Sequence, residues 1–254
     1  MIHFPVLRTR RLTVQLRELP IGESIAIAEM PPTREEASCT AFLRAAVVSA
    51  QGVPDPAQWT VQERMLAVCH YLAATSDDGP DFAVGGGRYS DYLDGAMDIG
   101  EAPISVGEVG GDAWLVRHLT GAAAESIERM DGEVPGVSGR LHWLLGGMAA
   151  QMLRAGESVP DAADGEGAFD EFIVARMKVI HGYPESDFAA LMALYVDGRE
   201  KLRHLFSTEF SRDGIVAMPK GGAASQLPPA RFPVHSCLTR LAKELVGKPD
   251  GDGV

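Results

Sequence analysis

Cysteine is scarce in this chain. The three residues, Cys39, Cys69 and Cys237, lie far apart in 254 positions and form no C-x-x-C pair. An odd, widely spaced set supports neither a disulfide framework nor zinc-ligand spacing, and a reducing cytosol is the expected compartment. Cys39 and Cys69 fall within amphipathic helical patterns, where a free thiol behaves as a small buried hydrophobe. Long apolar runs are also lacking. No stretch of about 18 apolar residues is available to cross a bilayer. The opening residues, Met1 to Pro5, show no basic region followed by an apolar core and a cleavage site, so no secretory signal and no membrane partner are expected.

Basic charge is in deficit. With 23 Lys and Arg against 35 Asp and Glu the formal net charge is -12, which argues against a nucleic-acid partner because such a surface must neutralise phosphates. Motifs that specify a reaction are missing as well. H-E-x-x-H, G-x-S-x-G and S-x-x-K do not occur, so protease, esterase and lactamase readings have no anchor, and neither an enzyme nor a cofactor is expected. The one glycine triplet, Gly85 to Gly87, lacks the spacing of a P-loop or dinucleotide fingerprint and stands among carboxylates. Asp91, Asp94 and Asp98, and separately Asp161, Asp164, Glu166 and Asp170, supply oxygen ligands but not the calcium-loop order; they are read as solvated acidic loops, with no metal site. Cys69-His70 and His235-Ser236-Cys237 bring thiol and imidazole together in sequence only. Helix neighbours diverge by about 100° and strand neighbours face opposite sides, so neither pair is a catalytic dyad by itself. His142, beside Trp143 on an apolar stripe, is read as a satisfied core or interface residue.

What the chain does have is organisation. Leu12, Val14 and Leu16 alternate with Thr13, Gln15 and Arg17, predicting a half-buried strand. Residues 21–30 predict a short helix stopped by Pro31-Pro32. Thr33-x-x-Glu36 and Thr60-x-x-Glu63 both match the capping box and predict two helix starts. The first helix would bury Cys39, Phe42, Leu43, Ala46 and Val47, and the second Val61, Met65, Val68, Cys69 and Leu72. Residues 76–112 are Gly-rich and acidic, with nine acids against the single Arg88, and carry strand-like pieces at 81–84 and 103–109. Beyond them the pattern is helical. Residues 114–130 predict one helix, interrupted or bent near Gly121. Apolar stripes through Leu141 to Leu153, Phe169 to Ile180, Phe188 to Phe206 (bending at Gly198) and Leu238 to Leu245 predict four more, and 247–254 should fray. The expected fold class is mainly α with a small β component (α+β). Three parts are expected: residues 1–80 with the strand and short helices, 81–132 with the acidic strand and loop element and connecting helix, and a helical 133–254.

Charge is unevenly placed. Arg8, Arg10, Arg11 and Arg17 make a basic head that faces an acidic middle in sequence, a pairing available between subunits of a homo-oligomer. These four arginines are the candidate interaction residues.

The front of the chain, Arg10-Arg11-Leu12-Thr13 on a strand, a short helix, then Thr60-Val-Gln-Glu-Arg-Met-Leu66 opening another helix, resembles tail and baseplate assembly proteins of tailed bacteriophages over about the first 75 residues. The resemblance implies a non-enzymatic structural component of a tail baseplate or tail tip that contacts other tail or baseplate proteins, made in the host cytoplasm and then carried in the virion. The resemblance also allows a tail assembly chaperone that leaves before the virion is complete; apart from it stands a third reading, a cytoplasmic enzyme whose site is built from Cys69, His70 or the aspartates.

Overall fold

The computed structural model describes residues 2–95, 97–162 and 167–247. Helices take up 45% of the chain and strands 19%, the strands sorted into small separate sheets, so the fold is α+β as the patterns predict. The N-terminal sheet is antiparallel, in the order β1 (Leu7–Arg8), β2 (Thr13–Leu16), β3 (Val47–Gln51). The period-2 alternation of β2 puts Val14 and Leu16 into the core, with Val14 opposite Ala50. Between β2 and β3 run α1 (Ile21–Ala28) and α2 (Glu35–Ala46), and α3 (Val61–Thr75) follows β3.

The two capping-box matches have different outcomes. At α3 the Thr60 hydroxyl accepts from the Glu63 amide while the Glu63 carboxylate accepts from the Thr60 amide, so the predicted box forms. At α2 it does not. The helix begins at Glu35 after Arg34, with no side-chain cap. The free amides of Glu36 and Ala37 are instead satisfied by the carboxylate of Glu128, 92 and 91 residues away. A tertiary contact has replaced the local cap that the sequence offered.

The acidic middle is a set of small strands. β4 (Ala83–Val84) and β5 (Gly87–Arg88) form a hairpin whose two turn residues, Gly85 and Gly86, both have positive φ, the conformation a two-residue hairpin loop demands. After β6 (Leu93–Asp94), β7 (Ile104–Val109) pairs with β8 (Asp112–Val116). This corrects the expectation of one helix over 114–130. Trp114 and Val116 are strand residues, and the helix, α4 (Gly121–Arg129), starts only after the Thr120 cap. The apolar run from Trp114 fits either period, and pairing with β7 and with β9 (Met152–Arg154) decided for the strand.

Helices α5 (Gly139–Gln151), α6 (Ala168–His181) and α7 (Glu185–Lys201) follow the predicted stripes, except that Met152 and Leu153, expected at the end of the Leu141 to Leu153 stripe, leave the helix and pair with β8 as β9. α7 runs through Gly198 without interruption, and Val116 and Val106 pack where a Cβ would sit there. The end of the Phe188 to Phe206 stripe is a further correction. Leu205 and Phe206 belong to β10 (Leu205–Ser211), which forms a hairpin with β11 (Gly214–Met218) and pairs back to β6. α8 (Arg240–Leu245) closes the described chain. The fraying expected from 248 onward lies outside the described residues.

Buried apolar side chains form two cores. The first gathers β2, α2 and α3 around Phe42, Leu43, Trp59 and Tyr71, and is completed by Leu205, Phe206, Phe232 and Leu238 from the far end of the sequence. The second gathers α4 to α7 around Trp114, Ile127, Leu145, Met148 and Tyr195. The cores therefore do not follow the three sequence parts: Leu205, Phe206, Ala217 and the apolar residues of 230–238 return to pack against residues 4–92, while Phe210 and Ile215 join the second core.

Candidate functional site

Two stretches that pass from one core to the other meet at the first turn of α3, with a third stretch beside them. Trp59 lies in the first core and Val61 in the second; Leu202 lies in the second and Leu205 in the first; Leu119 in the second core runs alongside. The stretches are bonded to each other. The Val61 amide donates to the Leu119 carbonyl and the Gly121 amide to the Trp59 carbonyl, each at 2.9 Å, on either side of a Thr60–Thr120 bridge. Beside them opens a cavity of about 160 Å³ lined by Thr60, Gln62, His118, Arg199, Arg203 and His204 among others.

The hydrogen bonds assign protons at this junction. His204 is 1% exposed. Its Nδ1 lies 2.9 Å from the Leu202 carbonyl, which only accepts, so Nδ1 carries the proton. Nε2 is then an acceptor and takes the hydroxyl proton of Thr60 at 2.8 Å. The Thr60 oxygen meanwhile accepts from the Glu63 amide at 3.1 Å. His118 packs edge-on against His204 with ring centroids 4.9 Å apart, and its Nε2 donates to the Gly100 carbonyl at 3.0 Å. Burial, and the nearness of His118, hold His204 down at about 4; burial, with Arg11 nearby, lowers His118 too. Both rings are neutral hydrogen-bonding groups near pH 7. Leu205, next in the chain, is the one non-glycine residue with positive φ (55°) among the described residues, and the Phe206 amide turns back onto the His204 carbonyl. The chain thus leaves His204 through a backbone conformation that costs an L-residue of this size about 1–3 kcal/mol.

A second polar cluster lies on the other side of the same helix turn. Arg64 is 1% exposed, and its Nη2 donates to the Glu36 carbonyl at 2.6 Å. The Glu36 and Glu125 carboxylates stand 3.5 and 3.9 Å from the guanidinium, while Nε and Nη1 have no hydrogen-bond partner. The guanidinium lies over Gly121, where a Cβ would come within 1.9 Å of Nη1. Thr40 donates to Glu125. Burial raises Glu36, and raises Glu128 to about 7 against the amides it accepts from.

The predicted interaction residues separate. Arg11 pairs with the fully buried Glu63 carboxylate, and Arg17 with Glu23 at 2.8 Å and the Ala45 carbonyl at 3.0 Å. The Arg10 amide donates to Asp98 at 2.7 Å, so basic head and acidic middle meet within one chain. Arg8 is exposed on the edge strand β1. The aspartates of the middle take different partners: Asp91 accepts from the Arg88 amide, Asp94 pairs with Arg203, and Asp98 holds Arg10. Of the later acids, Asp164 and Glu166 lie outside the described residues, and Asp170 is clamped by Arg129. Among the described residues no group of three metal-ligating side chains converges.

Cys69 and His70 diverge as helix neighbours must. The thiol is fully buried and pushed well up by burial, while the imidazole reaches the Pro5 carbonyl at 2.7 Å. His142 is buried, with Nε2 on the Ile127 carbonyl at 2.7 Å. Sequence reading missed Thr60 with His204 and His118 as a group. The only local sign was the capping box at Thr60; the histidines come from 58 and 144 positions downstream. No family model matches the chain, and no curated protein or solved structure matches it. Among the described residues no helix is long and apolar enough to cross a membrane.

Proposed function

We propose that this protein is a structural component of a bacteriophage tail baseplate or tail tip and works by contact with other tail proteins, without catalysis. The observation that carries the reading is the outer edge of β3. It ends the N-terminal sheet, and no hydrogen bond reaches its outer side among the described residues. Its sequence, Val-Val-Ser-Ala-Gln, holds no charge and no proline, and Val48 is 60% exposed. An unpaired uncharged strand templates pairing with another chain; the one irregularity of this edge is a register shift that leaves Val48 as the extra residue between Val47 and Ser49, and the strand carries neither the lysine nor the proline that commonly block such pairing. An edge left open suits a protein that receives a partner strand by β-augmentation. Arg8 on the opposite edge, β1, adds a basic contact. The R-x-L-T phrase and the E-R phrase of α3 lie in this same N-terminal part and support the assignment.

Mass spectrometry of purified particles, with copy number per particle, tests the proposal. A fixed small copy number is the expected result. Recovery from the lysate alone overturns it in favour of an assembly chaperone that leaves the tail. Val48→Lys sharpens the assay, since it should lower incorporation while leaving the free protein folded.

A further inference from the structure

The junction at the start of α3 has a further consequence, independent of whether the protein is carried in a tail. Thr60 is not placed to act as a nucleophile: its oxygen caps α3 and its proton is already given to His204, so attack on a substrate would unmake the helix start. The same arrangement is suited to something else. Thr60 and His204 stand on two different core-to-core crossings, and His118 lies on the third stretch, between β8 and the Thr120 cap. We propose that Thr60, His204 and His118 form an acid-sensitive latch, in which neutral imidazoles hold the two cores together and protonation releases the 202–206 crossing.

The chemistry is as follows. A proton arriving at His204 must go to Nε2, because Nδ1 already carries one. Nε2 then becomes a donor and the Thr60 hydroxyl proton loses its acceptor inside the core. The new charge sits against a second imidazole, at 4.9 Å between ring centroids. Other charges face the pair from every side. Glu63 on α3 and Asp98 before β7 favour the proton; Arg11, ahead of β2, opposes it. Arg199 and Glu200 from the end of α7, Arg203 just beyond it, and Glu209 from β10 line the cavity. Glu63 is already paired with Arg11, and Asp98 accepts from the Arg10 amide, so neither carboxylate is left to neutralise an imidazolium. The positive φ at Leu205 supplies the direction of release, since opening lets this residue leave a strained conformation.

Amide hydrogen exchange as a function of pH tests the latch on the full chain. The amides of Leu205 and Phe206, which donate to the Met97 and His204 carbonyls, and that of Val61, which donates to Leu119, report the junction. After correction for intrinsic rates, their opening equilibrium should rise about 20-fold between pH 7 and pH 5, the ratio that a ring titrating near 4 when closed and 6.5 when open requires. Amides in the middle of α6 should not follow. His204→Gln, whose amide can donate to Leu202 and accept from Thr60 without titrating, should flatten the profile. A flat wild-type profile overturns the latch, and so does an unchanged slope in His204→Gln. If that variant fails to fold, the nuclear magnetic resonance titration of His204 in the wild type decides: a midpoint well below 6.5 supports the latch, and one at 6.5 or above overturns it.

Discussion

Two buried polar clusters flank the first turn of α3, and they solve the same problem by opposite means. On one side Arg64 keeps its charge and draws Glu36 and Glu125 around it, with Glu128 nearby on the amides that open α2. On the other side His204 and His118 give up their charge and act as neutral donors and acceptors. Glu36 and Glu128 are raised by burial and bind protons more readily in the fold; the imidazoles of the second cluster are lowered and bind them less readily. Acid therefore tightens one side of the helix turn and loosens the other.

The largest break in that comparison is Arg64→Met. Removing one partner leaves the carboxylates buried without a cation, and the loss expected in urea denaturation is about 3–5 kcal/mol. An unchanged midpoint would mean that the cluster is hydrated and its charges already screened.

The pH dependence comes next, with one sign for each side. His204 has its folded value near 4 and an ordinary value of 6.5, so its contribution is complete above pH 6.5 and is lost as pH falls towards 4. Glu128, raised from 4.5 to about 7, contributes fully below pH 4.5 and loses its contribution as pH rises through 7. Each change is on the order of 3 kcal/mol. Chemical denaturation of the wild type between pH 4.5 and 6.5 should show the two largely cancelling. His204→Gln should then gain stability on acidification and Glu128→Gln should lose it; two variants with the same slope would sink the comparison.

Gly121→Ala tests the geometry of the first side alone. The new Cβ would meet the Arg64 guanidinium at 1.9 Å, and displacing it should cost about 1–3 kcal/mol. A thermal midpoint equal to wild type would show that Arg64 has room to move. Thr60→Val tests the second side, removing the cap and the proton given to His204, for about 1–2 kcal/mol, with Thr60→Ser restoring most of it. The smallest expected effect is that of Val48→Lys, which lies on neither cluster and should change stability by less than about 0.5 kcal/mol while lowering incorporation into particles.

Much of the fold was legible where a pattern is local. The alternation in Thr13–Leu16, the box at Thr60 and the stripes of α5 to α7 each follow from a few neighbouring residues. The apolar runs at Trp114 and at Leu205 were read as helix because a short hydrophobic run fits either period. What placed them in strands was a partner: β7 and β9 for Trp114, and β6 for Leu205. Thr33 fails as a cap for the same reason, since Glu128 reached the α2 amides first.

The sequence by itself determined the α+β class, most helix positions and the burial of Cys69 and His142, all properties of local periodicity and side-chain type. Only the tertiary structure decided how charge is neutralised. It paired Arg11 with the buried Glu63 and Arg17 with Glu23, set the Asp98 carboxylate on the Arg10 backbone amide, and brought His204 to Thr60 across 144 positions. The physical reason is that hydrophobic periodicity is written over neighbouring residues, whereas a buried proton or charge is satisfied by whatever partner the packed chain brings within 3 Å.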